Sequence, residues 1–351
     1  MSPWLETLSP DDRRVLNHSD ILTSDCDVLV VGGGLLGLAT AYFLAERKVT
    51  VQVIAEEPRL GAGSEHGTGA LWPSAFALRC PDVELHELAQ QGRDQWAKFA
   101  VRPEFSFDWR VNGLLELSPL ARDETAVERA NRALELGCSV TTVDAEQIAQ
   151  LEPRVMTDWA SRGGLHFPSE AQGHPVKAAV SLVRACRKRG VKLASGVTFT
   201  AVQHGNRIVG ATTSQGELSF HSLAVTNHAS SLLKPGMHPP PVTGTSVGFA
   251  TSPQPPLLKV GLLADYPLVQ LRSGDLVTSM PIDQPPRIPA GILAELGSVE
   301  WTRIWSVAES VTVLPHLFPD ATNAWLTNCG IKDEFLLAPA LGRLLADKIG
   351  A

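Results

Sequence analysis

The sequence predicts an α/β protein in two parts: a Rossmann-like nucleotide-binding domain and a second domain built on an antiparallel sheet. Two observations carry this reading. Residues 26–57 hold a strand, a glycine-rich turn, a helix and a second strand, while residues 234–280 are proline-rich at first and then break into short apolar runs. A chain of 351 residues is also long enough to divide into two cores.

The first observation is the more specific. The β-branched run at 28–31 reads as a buried parallel strand. Gly32, Gly34 and Gly37 follow in G-x-G-x-x-G spacing, residues 38–46 carry a helical pattern, and 49–54 close the unit as a second strand. The three glycines meet different physical demands. Gly32 permits the tight turn, Gly34 lets the backbone approach a pyrophosphate, and Gly37 lets helix and strand pack closely. Free N–H groups at the start of the helix, around Leu36, face the phosphates. Such units carry an acidic residue about twenty positions further on to bind a ribose hydroxyl. Glu56, just past the second strand, is the candidate; Ala55 sits at the ungapped position and Glu57 follows.

Further along, GAGSEHGTGALWPSA at 61–75 forms a hydrogen-bonding loop in which Gly67, Gly69, Ser64 and His66 supply backbone and side-chain donors. Residues 83–99 read as an amphipathic helix with Leu85, Leu88, Trp96 and Phe99 on its apolar positions. Asn112-Gly113 suggests a hairpin within 107–117. Residues 122–136 and 144–151 read as helices, the second capped by Asp144, and 176–189 as a long helix stopped by Gly190. A strand at 191–194 and a hairpin at 199–218, turning at Gly205, come next. Residues 234–256 are expected to cross between domains and supply edge strands. Strands are expected around Ser273-Gly274-Asp275, a mostly helical stretch at 292–314, and a strand, loop and amphipathic helix at 324–350. The first 25 residues are read as an extension holding one short surface helix.

Composition narrows the class of function. Hydrophobic content of 44% and charged content of 19% belong to a folded globular chain. A net charge of −7, with no Lys/Arg cluster, argues against a nucleic-acid partner. The five cysteines (Cys26, Cys80, Cys138, Cys186, Cys329) are scattered and form no C-x-x-C, which suits a reducing cytoplasmic setting and suggests no metal site. The N-terminal stretch lacks the apolar core of a secretory signal, and no apolar run is long enough to predict a membrane span.

The glycine fingerprint, followed at this distance by a Gly/Ser/His-rich loop ending in ALWP, resembles the D-amino-acid oxidase-like family of FAD enzymes, which includes glycine and sarcosine oxidases. The resemblance extends from residue 26 almost to the C-terminus and is strongest at 26–75, 163–230 and 324–350. It implies an FAD-binding domain of the glutathione-reductase type made from residues 26–80, 150–235 and 318–351, and a substrate domain from 81–149 and 236–317. It implies that the 61–75 loop runs along the flavin, that the backbone of Val197 holds the adenine, and that the turn at Asn227 approaches the cofactor. It also places the closing loop, Gly330, Ile331, Lys332 and Asp333, over the pyrimidine edge of the flavin. Two departures stand out: the turn after Asn227 has Ala229 where the family writes glycine, and the Gly-Leu-Arg-Pro block upstream of the closing strand has no counterpart.

The activity implied is oxidation of an amine or amino-acid C–N bond to an imine, with oxygen or a carrier as the final acceptor. In that reading Lys332 is the cation near the flavin, Arg272 anchors a substrate carboxylate, with Arg303 a weaker rival on a helix, and His66 hydrogen-bonds the flavin or carries a covalent link to it. An FAD-holding subunit of a larger dehydrogenase, in a homo- or hetero-oligomer, is the alternative.

Overall fold

Strand Asp25–Val31 buries its last four residues and pairs in parallel with Val51–Ala55 on one side and Gly216–Val225 on the other. The computed structural model describes residues 2–79, 82–117, 125–226, 242–282, 293, 300–310, 312–318, 321–330 and 333–350. Lys192–Ser195 extends the parallel ladder beyond Val51–Ala55. Ala324–Cys329 runs parallel to the second half of Gly216–Val225 and antiparallel to Thr312–Leu317. The first half of Gly216–Val225 pairs with Arg207–Thr213, which forms a hairpin with Phe199–His204. Together these strands make one eight-stranded sheet.

Helix Leu35–Glu46 is buried at every position from Leu35 to Leu44. A helix apolar on all sides must be covered on all sides, and this one is packed against helices Pro175–Lys188 and Glu334–Ile349. Glycines permit the closest approaches. A Cβ on Gly37 would stand 1.9 Å from Gly32 O, and one on Gly92 would stand 2.0 Å from Leu336 O. The second contact seats the closing helix against helix Val83–Ala100.

The second eight-stranded sheet runs Trp301–Ser310, Val242–Thr251, Leu276–Pro281, Pro267–Gln270, Gly261–Leu263, Leu114–Leu117, Gly164–Phe167, Thr141–Val143. Its neighbours are antiparallel except Gly261–Leu263 with Leu114–Leu117. A three-stranded sheet, Ala70–Leu71, Ala171–Gln172 and Arg110–Val111, connects the glycine-rich loop to this region.

Four expectations are corrected. The stretch expected to be helical at 292–314 contains strands Trp301–Ser310 and Thr312–Leu317. Its large residues Trp301, Arg303 and Trp305 alternate with more exposed neighbours, the period of a strand. The described part of the proline-rich region, from residue 242, does not supply an edge: Val242–Thr251 is paired on both sides, and residues 234–241 lie outside the described residues. Gly113 turns the chain at φ +75° but joins no hairpin, because Arg110–Val111 and Leu114–Leu117 pair with different partners. The N-terminal segment forms two helices, Pro3–Glu6 and Pro10–Asn17, and is anchored inward: Trp4 is fully buried and its Nε1 donates to Gly67 O at 3.0 Å.

Candidate active site

Gly32, at φ +127°, makes the turn that no side chain would favour, and helix Leu35–Glu46 starts immediately after Gly34. A glycine cap offers no side chain to the first-turn N–H groups, so they need another acceptor. Part of it comes from the far end of the sequence. The N–H of Leu36 donates to Glu334 Oε1 at 3.3 Å. A Cβ on Gly34 would lie 2.5 Å from that oxygen, and one on Gly63 would lie 3.3 Å from Oε2. Oε2 itself is sealed from solvent and has no hydrogen-bond partner among the described residues. Burial pushes the Glu334 carboxyl up to about 7; the Leu36 and Leu35 amides pull against this, and Glu57 adds to it. The carboxylate oxygens stand in for those of an external anion at a helix N-terminus.

The glycine-rich loop folds against this cradle. Gly61, at φ +68°, donates its N–H to Gly33 O at 2.7 Å and leads into a 3₁₀ turn, Ala62–His66. Among the described residues, buried Ser64 has no partner for its Oγ, and His66 Nδ1 is likewise buried and unpaired. Burial holds the His66 ring below the usual imidazole range, so it is neutral at neutral pH. Buried polar atoms are almost always satisfied; Ser64 Oγ and His66 Nδ1 in the loop and Glu334 Oε2 in the cradle are each left for a polar ligand to complete.

Where this loop meets the second sheet there is a cavity of about 60 Å³. His66, Thr68 and Trp72 line it from the loop, Ser246, Leu263 and Ser279 from the second sheet, and Asp333 and Leu336 from the closing helix. Trp72 fixes one wall by lying on a glycine: a Cβ on Gly261 would be 2.3 Å from its ring. Trp305 lies in the same way on Gly248, 2.1 Å from a Cβ built there, and its Nε1 reaches His66 O at 3.5 Å. Nearby, Glu170 is buried, its Oε1 accepts from Ser74 N at 3.1 Å, and burial pushes it up to about 7. None of Ser246, Leu263 or Ser279 stands out in the sequence, because each is an ordinary strand residue until the fold brings it to the site.

The structure brings Gly32, Gly34, Leu36, Gly37, Ser64, His66, Gly67, Gly69 and Asp333 to the cradle, the loop or the cavity. Gly69, at φ +82°, is held by its carbonyl, which accepts from Gly173 N at 3.0 Å. Glu56 is exposed at the end of strand Val51–Ala55. Val197 is buried, with its N–H donated to Ala55 O at 2.9 Å. Gly330 ends the closing strand at φ +61°. Asn227, Ile331 and Lys332 lie outside the described residues.

Neither arginine lines this cavity, and the helix expected for Arg303 is a strand. Arg272 has a side chain 79% exposed, 3.9 Å from Asp108, and lines a separate cavity of about 350 Å³ beside Trp4 and Lys177. Arg303 is on a strand and pairs with Glu6 and Asp275 at 2.8 and 2.7 Å. Both are drawn to local carboxylates. His174 caps helix Pro175–Lys188: its Nδ1 accepts from Lys177 N at 3.1 Å, and burial pushes the ring down to about 3.

A family model described as FAD dependent oxidoreductase matches residues 27–284. The chain belongs to this family of flavoenzymes. FAD is therefore the cofactor of this chain, and the backbone turn, the helix start after Gly34 and the unsatisfied atoms of Ser64 and His66 suit it; a diphosphate held here would have to accommodate Glu334. The chain is 27% identical to human mitochondrial sarcosine dehydrogenase over 52% of its own length and 20% of that protein's. It is 28% identical to the sarcosine oxidase subunit beta of Rhizobium meliloti (strain 1021), over 57% of its length and 48% of the relative's. It thus spans less than half of either relative. The solved glycine oxidase of Bacillus cereus ATCC 14579 shares the fold, with a TM-score of 0.77, 18% identity, and coverage of 93% of this chain and 95% of that one. Among the described residues no helix is long and apolar enough to cross a membrane.

Proposed function

We propose that this flavoprotein oxidises the C–N bond of a small amine or amino acid. The observation that carries this reading is the small cavity enclosed between the glycine-rich loop, the second sheet and the start of the closing helix. Relatives named for sarcosine oxidation support the substrate class. When bound, FAD would supply the two-electron acceptor for this oxidation, and water would hydrolyse the imine product.

The residues of this chain provide the setting. Trp72, Leu263 and Leu336 form apolar walls that exclude water. Asp333 supplies negative charge for a cationic amine, and the neutral His66 ring a hydrogen-bonding edge. Lys332 is proposed as the cation near the flavin, where positive charge favours the reduced, anionic form. The final acceptor is oxygen or an electron carrier, and a discontinuous FAD domain and a substrate domain are proposed around the two large sheets, with strand Gly164–Phe167 joining the second sheet and Thr312–Leu317 the first. A cytoplasmic location suits the scattered cysteines. A second reading, an FAD-holding subunit of a larger dehydrogenase, is favoured by the relative named as a subunit.

Anaerobic titration of the purified flavoprotein with small amino acids and N-methyl amino acids tests the choice. Oxidation predicts that at least one bleaches the flavin absorbance. If none does while dithionite reduces the flavin fully, the subunit reading replaces it.

A further inference from the structure

We propose that Glu334 links FAD binding to a proton: neutral, it shares the cradle with the diphosphate and donates its O–H to a phosphate oxygen; ionised, it competes for the same amides and repels the diphosphate. This rests on FAD being the ligand of the cradle. Glu334 Oε1 already takes the Leu36 N–H at 3.3 Å, the donor a phosphate oxygen would use, and Oε2 is sealed between Gly34 and Gly63 with no partner among the described residues. The backbone that carries Glu334 cannot retreat. Phe335, Leu336 and Leu337 are buried directly behind it, Trp96 Nε1 donates to Phe335 O, and Gly92 leaves no room beside Leu336 O.

Among the described residues, these groups act on Glu334 or lie beside it in the chain. From the fingerprint helix it meets the Leu35 and Leu36 amides, from the segment after the second strand Glu57, and Asp333 precedes it on its own helix. The closing strand contributes Cys329, whose thiol burial keeps protonated. Burial, helped by Glu57, brings the carboxyl up to about 7 against the pull of the amides. Two phosphate charges in the same cradle would raise it further. Binding therefore takes up a proton from solvent above neutral pH, and affinity falls as pH rises.

The test is FAD affinity of the full-length, FAD-stripped protein, measured by flavin fluorescence quenching from pH 6 to 9. The parent protein should lose up to about tenfold in affinity per pH unit above about 7, the limit for one linked proton. Glu334→Gln should bind with little pH dependence and more tightly than the parent at pH 9. Glu334→Gly, which opens the cradle instead of neutralising it, should lose the slope too. A flat parent profile, or an unchanged slope in Glu334→Gln and Glu334→Gly, overturns the inference alone. If no protein binds FAD at any pH, the cofactor reading fails and the inference with it.

Discussion

The cradle takes its turn, helix start and second strand from one run of 32 residues, 26–57, whereas the cavity beside it draws walls from three regions, around residues 66–75, 246–279 and 333–336. The contacts differ in kind as well. In the cradle, backbone meets backbone, as where Gly37 lies on Gly32 O; in the cavity, a side chain, Trp72, lies on strand glycine Gly261. A backbone contact has one solution and leaves a strict residue spacing behind it. A side-chain wall has many solutions, so it is free to vary with the substrate.

That contrast predicts effects of decreasing size. Gly34→Val should be the most severe for the cofactor. The first atom its new side chain meets is a carboxylate oxygen at the end of a flexible glutamate, 2.5 Å away, so the fold should survive. A diphosphate has no such freedom. The variant should purify folded by circular dichroism and without flavin; full FAD content would show that the cradle does not hold the diphosphate.

Lys332→Met keeps much of the stem and removes only the charge. If the closing loop presents this cation to the flavin, reduction by substrate should slow by roughly 10²-fold in anaerobic stopped-flow, with an unchanged melting temperature. A parent-like rate would remove Lys332 from the site.

Glu170 sharpens the comparison through stability. Its folded value of about 7 lies above the ordinary 4.5, so the folded state holds the proton longer than the unfolded chain. Stability then falls as pH rises across that window, by on the order of 3 kcal/mol once both states are ionised. Glu170→Gln keeps an acceptor for Ser74 N–H and removes the titration. Its melting temperature should match the parent's near pH 5 and exceed it by pH 8; parallel profiles would refute this.

The smallest effect belongs to Arg272. It is mostly exposed, and its neighbour Asp108 is already paired with Lys177 at 2.7 Å. Exposed pairs of this kind contribute little, so Arg272→Ala should leave KM within about twofold of the parent. A large rise in KM would return Arg272 to the substrate.

The same contrast separates what is legible in the sequence from what is not. The fingerprint is legible, because Gly32, Gly34 and Gly37 each answer a backbone demand at fixed spacing. Helix ends are legible where a cap marks them: Asp144 accepts from Gln147 N and Gly190 takes φ +84°. Strand Trp301–Ser310 is hidden because its residues also fit a helix until a partner, Val242–Thr251, selects the period of two. Residue type makes Arg272 a carboxylate anchor, and type cannot reveal that Asp108 lies next to it. Nothing in the sequence marks Glu334, since only the closing helix's return to residues 34–36 puts its carboxyl in the cradle.

The most direct test is the cofactor content of the purified full-length protein. The visible spectrum should show a flavin, and heat or acid should release FAD at close to one per chain, either as purified or after incubation with FAD. A folded chain that takes up no FAD under either condition would contradict the central claim, that residues 26–57 and the closing helix form a working FAD site.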